Sequence, residues 1–409
     1  MKLMNYYHTI KFLRLSQIGH RLLRKFKKPR VRNHTASRST FNGQWLDVKL
    51  YSQKHFSDDQ VQFLNRTVKV DSPLIWNDSN QDKLWLYNLH YFEDLIAAGS
   101  DSRTVLNSAL MHRWIIENPA PLGNGWEPYP SSLRIVNWIK YFLAGNSCDQ
   151  SILNSLAQQA DVLSQNLEFH LLGNHLFSNA KALIFAGLFL DCKAADYWLD
   201  TGLNIIQREL PEQVLADGGN FELSPMYHAL MLTDLLDLLN VFTAFGDTIE
   251  LTALKRIRQG AGKMLEWLKL MTHNDGEISF FNDSAFAIAP APSKIFSYAE
   301  QLNLGLRQPE QTSHIHLHES GYSRIAFPGY CLIFDHGEVG PEYLPGHAHA
   351  DSLSIEWSLA KHRVLVNSGT SIYGNNRQRL IERKTQSHNT VVVDDSDSSE
   401  VWSGFRVAR

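Results

Sequence analysis

Acidic residues are missing from the first 46 positions of this 409-residue chain, although they outnumber basic residues over the whole sequence. The first acid is Asp47, and eleven lysines and arginines precede it. Among them runs an apolar stripe at roughly helical spacing: Phe12, Leu15, Leu22, Leu23 and Phe26. The pattern predicts an amphipathic helix within a basic N-terminal arm, residues 1–46. Such a helix is typical of peripheral contact with an anionic membrane or of docking to a partner.

Cysteine is also scarce, with three residues that lie far apart and form no C-x-x-C pair. That spacing excludes a disulfide framework and a cysteine zinc site. The longest strongly apolar run, residues 182–190, is too short to cross a bilayer and predicts a buried helix. A net charge of −3 and a pI near 6.7 give no sign of nucleic-acid binding. The arm lacks the long uncharged segment and cleavage site of a standard secretory signal.

Secondary-structure signals divide the rest of the chain at about residue 312. Apolar residues at helical spacing predict an all-α layer, such as a helical-hairpin toroid or a bundle, from about residue 76 to 310. After about residue 315 the period changes to two and predicts an antiparallel sheet. The predicted strands are 320–326, 330–334, 352–359, 363–367, 389–394 and 405–409.

This pattern predicts a multidomain α + β protein with the arm, a helical domain at 47–312 and a sheet domain at 313–409. The sequence stops inside the last predicted strand, and the few predicted strands make a small sheet with an exposed edge. We therefore expect the sheet domain to be incomplete.

Two histidines in the segment Gly346-His347-Ala348-His349-Ala350-Asp351 lie between two predicted strands. If the segment is extended, both imidazoles point to the same face, because strand side chains alternate. Two adjacent imidazoles suit a base and a metal ligand, or two ligands, although a bare H-x-H is more often a pair of surface histidines.

Polar groups also interrupt apolar helices at two predicted helix starts. Asn174 and His175 precede a buried helix, where they can donate to an anion with help from the helix dipole; an ordinary Asn cap is the alternative. Ser224 is a good N-cap and Pro225 suits the first helical position, which places Tyr227 in the first turn. The helix dipole is expected to lower the pKa of that phenol, which is useful for a tyrosine that acts as acid or base. The alternative, an ordinary half-buried tyrosine without a catalytic role, is the commoner case.

A third polar group is made of Asn367, Ser387, His388 and their neighbours. With His349 they form a potential metal site with two imidazoles and one further ligand. Zinc prefers histidine and carboxylate donors, and the amide oxygen of Asn367 is weaker, so the metal is in question.

Several of these motifs together resemble the heparinase II/III family of polysaccharide lyases. The resemblance covers most of the chain from about residue 80 and rests on the following segments: Asn174-His175, 224–228, Phe281-Asn282-Asp283, 345–351, 368–370 and 388–390. It implies an α/α toroid followed by an antiparallel β-sandwich domain. The arm and the segments 85–95 and 126–138 resemble the branch often found among bacterial polysaccharide-biosynthesis proteins.

The family resemblance also implies a reaction, β-elimination at a uronic acid of an acidic polysaccharide. Asn174, with His175, would bind the uronate carboxylate. Tyr227 would act as general acid and also as base, and His347 as the base for the opposite C5 epimer. His349, Asn367 and His388 match the family's metal site, where Asp is common in place of Asn367, so zinc is expected to be weak or absent. Charge alone makes Glu222, Arg134 and Arg383 expected substrate contacts.

Two other functions compete with the lyase. A catalytically weak or inactive glycan-binding component of capsule or exopolysaccharide assembly fits the basic arm and Asn367. A glycoside hydrolase on an α/α toroid requires two facing carboxylates, for which Glu127, Glu222 and Asp283 are the options. The resemblance implies the cell envelope or periplasm, and the absence of a clear signal leaves the cytoplasm as the alternative.

Overall fold

The computed structural model of the protein describes residues 2–57, 59–246, 251–305 and 312–408. Within these residues the α-helices are α1 (Lys2–Ile10), α2 (Leu15–Phe26), α3 (Lys83–Tyr91), α4 (Thr104–Glu117), α5 (Pro128–Leu143), α6 (Gln150–Ser164), α7 (Gly173–Phe189), α8 (Ala195–Gln213), α9 (Pro225–Phe245), α10 (Leu251–Leu270), α11 (Pro292–Gln301) and α12 (Arg377–Glu382). The strands are β1 (Ser37–Arg38), β2 (His55–Ser57), β3 (Gln60–Phe63), β4 (Arg66–Lys69), β5 (Leu190–Asp191), β6 (Ser313–Leu317), β7 (Tyr322–Phe327), β8 (Tyr330–Asp335), β9 (Ile355–Leu359), β10 (His362–Leu365), β11 (Val401–Trp402) and β12 (Arg406–Val407).

One compact unit comprises residues 1–18, 209–239 and 254–409. Its five-stranded antiparallel sheet has the order β10-β9-β8-β7-β6. Burial alternates along β8, as the period of two predicts for a sheet with one covered face. The core that the sheet shares with α10 contains Trp267, Phe281, Tyr322 and Ile333. This core fixes the backbone on both sides of Phe281, directly before the polar residues described below.

The other compact unit comprises residues 19–208 and 240–253. Helix α5 packs against α7, α6 and α3, and the large side chains of Trp85, Trp114 and Trp138 are fully buried in this helical layer. The abundant tryptophan of the sequence therefore serves mainly this core. A three-stranded antiparallel sheet, β2-β3-β4, lies in a stretch that the sequence analysis assigned to the helical domain.

Most of the predicted elements are present, with shifted ends. Helix α9 begins directly after the predicted cap Ser224, and β7, β8, β9 and β10 overlap four of the predicted strands. The strand predicted at 389–394 is wrong: this segment is a loop, and its Val391 and Val393 are 79% and 64% exposed. An apolar alternation without a partner strand does not form a sheet.

Other predictions concern the borders of the elements. The predicted strand at the end of the chain is present only as β12, and its last residue, Arg409, lies outside the described residues. The border predicted between helical and sheet domains falls beside residues 306–311, which also lie outside them. The two compact units do not follow the predicted domain ranges, which stay predictions.

Helix α9 is long and apolar enough to cross a membrane by length and composition, but 78% of its most apolar window is buried inside the protein. That burial is typical of a core helix. The run at 182–190, predicted to be a buried helix, lies mainly in α7 and is almost entirely buried.

Candidate active site

A buried carboxylate, Asp283, is the centre of the polar cluster in the first compact unit. Its Oδ2 lies 2.9 Å from His347 Nδ1 and its Oδ1 lies 2.8 Å from His349 Nε2. The guanidinium of Arg379 donates to both oxygens, at 2.7 Å from Nη2 to Oδ2. Burial alone would raise the pKa of Asp283, but the bonds from the two imidazoles and the charge of Arg379 outweigh it and hold that pKa well below its usual range. Asp283 is therefore a lasting anion that fixes the orientation of both histidines.

His347 is the partly exposed member of this cluster. Its side chain is 14% exposed, and its Nε2 lies 3.2 Å from Glu222 Oε2. The imidazole ring stacks on the phenol ring of Tyr227, with centroids 3.8 Å apart and planes at 27°. The Tyr227 hydroxyl is 3.0 Å from the hydroxyl of Tyr373. Two side chains that exchange protons in many enzymes therefore lie in ring contact, each with a second polar partner.

The sequence explains how Tyr227 reaches this position. Ser224 Oγ accepts a hydrogen bond from the Tyr227 amide at 3.2 Å, and Pro225 is the first residue of α9. The predicted N-cap is confirmed, and Tyr227 lies in the first turn of the helix. The segment around His347 and His349 is a loop rather than an extended strand. The two imidazoles nevertheless share a partner, because Asp283 offers one oxygen to each.

Asn282 connects the three segments that form this cluster. Its side-chain amide donates to the Leu223 carbonyl at 3.0 Å, and its Oδ1 accepts the His349 amide at 3.0 Å. The backbone amide of Asp283 donates to the His347 carbonyl at 3.1 Å. The motif Phe281-Asn282-Asp283 thus supplies an apolar anchor, an amide connector and a carboxylate in three consecutive residues.

Strained backbone lies within or just before three of the motif segments, those around Asn174, Ser224 and Asp283. Leu172, Leu223 and Asn282 have φ values of 67°, 57° and 56°, in the left-handed region that costs a side-chain-bearing residue about 1–3 kcal/mol. They directly precede the segments that begin with Gly173, Ser224 and Asp283. Strain of this kind persists where the surrounding contacts over-determine a functional geometry.

The second compact unit holds a similar but smaller arrangement around Glu168. His175 Nδ1 lies 3.1 Å from Glu168 Oε1, and the Asn179 amide donates to Oε2 at 3.1 Å. Burial would raise the pKa of Glu168, but the charge and hydrogen bond of His175 and the bond from Asn179 lower it. The His175 side chain is 31% exposed, and its ring centroid is 4.5 Å from that of Tyr129. Asn174 and His175 occupy the first turn of α7, as predicted.

The metal set implied by the family lies around His349 and His388. Both rings are buried, with centroids 5.2 Å apart. His349 Nδ1, both ring nitrogens of His388 and the Asn367 side-chain nitrogen have no hydrogen-bond partner among the described residues. Burial lowers the pKa of the His388 imidazole to about 4, with a smaller contribution in the same direction from the charge of His349 and an opposing effect from Asp351. The His388 ring is therefore neutral.

These residues fit a zinc ion incompletely. Two imidazoles with unpartnered nitrogens are suitable donors, but the third position carries an amide. No group of three or more His, Cys, Asp and Glu side chains in the described ranges is arranged to hold a metal. The expected weakening of the site by Asn367 therefore stays a prediction.

The three charged residues expected to contact substrate lie in different surroundings. Glu222 reaches His347, as described above. Arg134 is fully buried, stacks on Trp114 at 3.8 Å and donates to Gln159 at 2.9 Å, and burial holds its pKa well below its usual range. Arg383 is fully buried too and donates to the Ala348 carbonyl at 2.8 Å, which holds the loop between His347 and His349. The substrate contacts of these two arginines stay predictions, and their burial weighs against them.

Arg379 and Tyr373 are the members of the cluster that sequence reasoning missed. Arg379 binds Asp283, which precedes it by 96 residues, and no local pattern announces the pairing. Tyr373 stacks on Phe405 at 5.4 Å and lies over the Arg379 guanidinium at 5.1 Å. A polar segment just before a short helix was the available signal, and it is too common to single out either residue.

Two family models match the chain: "Heparinase II/III N-terminus" over residues 1–299 and "Heparinase II/III-like, C-terminal" over residues 309–409. A heparin-sulfate lyase from Bacteroides thetaiotaomicron is 28% identical over 213 residues, which are 46% of this chain and 30% of that protein. A heparin-sulfate lyase from Pedobacter heparinus is 44% identical over 77 residues, 19% of this chain and 11% of that protein.

Solved structures show the same relationship at the level of the fold. The crystal structure of heparinase III has a TM-score of 0.60 at 20% identity, covering 82% of this chain and 57% of that one. Heparan sulfate lyase from Pedobacter heparinus has a TM-score of 0.53 at 20% identity, covering 83% and 59%. The chain spans less than two thirds of the length of each of these relatives. Since the two family models together match nearly every residue, the chain belongs to the heparinase II/III family.

Proposed function

We propose that the protein is a polysaccharide lyase that cleaves a uronic-acid-containing polysaccharide by β-elimination. The observation that carries the proposal is the ring contact between Tyr227 and His347 at 3.8 Å, with the imidazole fixed by buried Asp283. Membership of the family and similarity to heparin-sulfate lyases support this reaction class.

The chemistry needs a base, an acid and an anion-binding group. A base removes the C5 proton, the electrons of that C–H bond form the C4=C5 double bond, and the C4–O bond breaks. The leaving glycosidic oxygen takes a proton from the acid, so no water is consumed. Tyr227 acts as general acid and as base at one C5 epimer, and His347 acts as base at the other. Glu222, 3.2 Å from His347 Nε2, takes part in holding the proton that the imidazole gains.

The C5 proton is weakly acidic until the neighbouring carboxylate is neutralised. Asn174 and His175 bind that carboxylate and stabilise the enolate-like intermediate. Their place in the first turn of α7 favours an anion, because the helix dipole is positive there. Glu168 orients the His175 ring through its Nδ1, which supports a fixed donor.

A glycoside hydrolase is less well supported by the carboxylates named for it. A hydrolytic general acid needs a raised pKa and an accessible proton. Asp283 has the opposite properties, because its pKa is lowered and both its oxygens are bonded to buried cationic or imidazole groups. Glu127 accepts hydrogen bonds from Tyr87 and Lys83.

Product absorbance tests the proposed reaction. The purified protein is incubated with a panel of uronate-containing polymers, and the ultraviolet absorbance of the conjugated unsaturated uronate is followed. A rise that Tyr227→Phe abolishes is the expected result, and His347→Ala should abolish it for polymers with the epimer at which His347 is the base. A folded protein that produces no rise with any polymer leaves the glycan-binding component of capsule or exopolysaccharide assembly as the better function.

Three finer features accompany this proposal. We propose an α/α toroid followed by an antiparallel β-sandwich, supported by the helical layer, the antiparallel sheet and the heparinase III similarity. Zinc, where bound, would be held by His349 and His388 with Asn367 as a weak third ligand, and would hold those loops together. The cell envelope is the proposed location, by family membership.

A further inference from the structure

Helix α2 has its polar and apolar residues on opposite faces. Leu15, Ile18, Leu22 and Phe26 follow one another at intervals of three and four residues, so they form one stripe, and Leu23 lies beside it. The opposite face carries Gln17, His20, Arg21 and Arg24. The helix contains no acidic residue.

The apolar face of α2 is the one that faces solvent. Leu15 and Phe26 are each 86% exposed, Leu23 is 60% exposed and Leu22 is 55% exposed. The polar face contacts the protein through Gln17, which is buried, and through His20, whose ring stacks on Phe169 at 4.9 Å. This is the reverse of a surface helix in a globular protein, which buries its apolar stripe. An exposed apolar stripe of this kind marks an interaction surface.

Basic side chains border the exposed stripe. Lys25 and Lys27 lie one residue before and after Phe26, so they project on either side of it, and Lys28 and Arg30 follow. Lys25, Lys27 and Lys28 are all exposed. The first acid of the chain comes only at Asp47. In a dimer through this stripe, the basic side chains of the two copies would repel each other. An anionic lipid surface, in contrast, is complementary to both the apolar stripe and its basic border.

We propose that α2 is a docking surface for an anionic lipid membrane. Leu15, Leu22, Leu23 and Phe26 enter the boundary between headgroups and acyl chains, while Lys25, Lys27 and Lys28 bind lipid phosphates. The contact holds the protein on the membrane through α2. It is independent of the proposed lyase activity, since neither Tyr227 nor His347 takes part.

Vesicle co-sedimentation of the full chain tests the proposal. Vesicles of phosphatidylcholine mixed with phosphatidylglycerol are compared with vesicles of phosphatidylcholine alone, at low and high salt. Binding to the anionic vesicles that weakens with salt is expected, because salt screens exposed charges. Leu22→Ser with Leu23→Ser and Phe26→Ser lowers the partition coefficient about tenfold or more, since binding follows buried apolar area.

Two further variants complete the test. Lys25→Glu, Lys27→Glu and Lys28→Glu together lower the partition coefficient by about a hundredfold, at about fivefold for each basic side chain near an anionic surface. The matched control is the double variant Val105→Ser with Ile116→Ser on α4. Val105 and Ile116 are 84% and 79% exposed, and their replacement should leave binding unchanged. Circular dichroism confirms that each variant is folded.

Several outcomes would overturn the proposal. Anionic vesicles that do not bind the wild-type chain at low salt contradict it directly. Binding that charge reversal abolishes but the three serines leave intact indicates a site for soluble polyanions. A concentration-dependent dimer that the three serines dissolve, without vesicle binding, assigns the stripe to a second copy of the chain.

Discussion

Each compact unit holds a buried carboxylate that orients a partly exposed histidine beside a tyrosine, but the two carboxylates are balanced differently. Asp283 binds His347, His349 and the guanidinium of Arg379. Glu168 binds His175 and the neutral amide of Asn179. The charge of Asp283 is met by a permanent cation, whereas the charge of Glu168 is met most directly by an imidazole. This difference accompanies the different roles proposed for the two histidines, base for His347 and carboxylate binding for His175.

The largest expected difference between the two histidines is kinetic. His347→Gln removes the proposed base, and we expect kcat to fall by about 10²–10⁴-fold, the usual contribution of general acid–base catalysis. His175→Gln removes a proposed donor to the substrate carboxylate, and we expect kcat/KM to fall by about 10–100-fold, since a hydrogen bond to a charged group is worth about 1.5–3 kcal/mol. Initial rates on the polymer that responds best give both values. Equal losses in kcat from the two variants would contradict the proposed difference in role between His347 and His175.

The next comparison is between the carboxylates themselves. Asp283→Asn leaves Arg379 buried without its partner, which costs about 3–5 kcal/mol of unfolding free energy. Glu168→Gln keeps a hydrogen-bonding side chain and strands no guanidinium, so we expect about 1–2 kcal/mol. Urea unfolding of the three proteins gives the difference, and a larger loss in Glu168→Gln would contradict the account of Asp283.

The contribution of Glu168 to the unfolding free energy should depend on pH in the acid range. Its pKa in the folded protein lies below the ordinary value of 4.5, so the carboxylate contributes stability that is fully present above pH 4.5. That contribution is lost as the pH falls through the folded pKa. The gap in unfolding free energy between wild type and Glu168→Gln should therefore narrow below pH 4.5. A gap that widens on acidification would mean that the sign of the shift is wrong.

Tyr227 has a hydroxyl partner, Tyr373, whose removal tests a smaller effect. Tyr373→Phe removes a hydrogen bond worth about 0.5–1.5 kcal/mol and keeps the ring stacked on Phe405. We expect kcat to fall by about 2–10-fold with KM nearly unchanged. Tyr129→Phe, beside His175, is the control in the other unit and should alter KM more than kcat.

The smallest expected effect concerns the second imidazole on Asp283, which has no counterpart among the described contacts of Glu168. That second imidazole, His349, shares the implied metal set with Asn367. Asn367→Asp introduces a carboxylate, which zinc prefers, and should raise the zinc content of the purified protein. Mass spectrometry of the metal content measures it without reference to activity. Zinc as abundant in wild type as in Asn367→Asp would show that the amide is an adequate ligand.

Local sequence patterns predicted some of the site residues and missed others, and the difference has a physical reason. The Ser224-Pro225 start of α9 and the position of Tyr227 follow from capping rules that operate within four residues. The pairing of Asp283 with Arg379 depends on how the chain returns after 96 residues, which capping and periodicity do not encode. The His347 and His349 segment lies between two predicted strands and forms a loop, and its two imidazoles share Asp283 because that carboxylate has two oxygens.

The same distinction applies to the fold. Period-two runs located β7, β8, β9 and β10, where neighbouring strands supply partners. The run at 389–394 has the same pattern without a partner and forms a loop. The β2-β3-β4 sheet was missed because its strands are only three to four residues long.

The origin of the oxygen in the products is the most direct test of the central claim. The polymer is digested in heavy-oxygen water, and the released oligosaccharides are analysed by mass spectrometry. Elimination predicts that the cleavage adds no solvent oxygen to either fragment, and that the fragment with the new unsaturated end is lighter by one water than the corresponding hydrolysis product. Fragments that carry one heavy oxygen per cleavage would contradict the account, because that is the signature of a hydrolase.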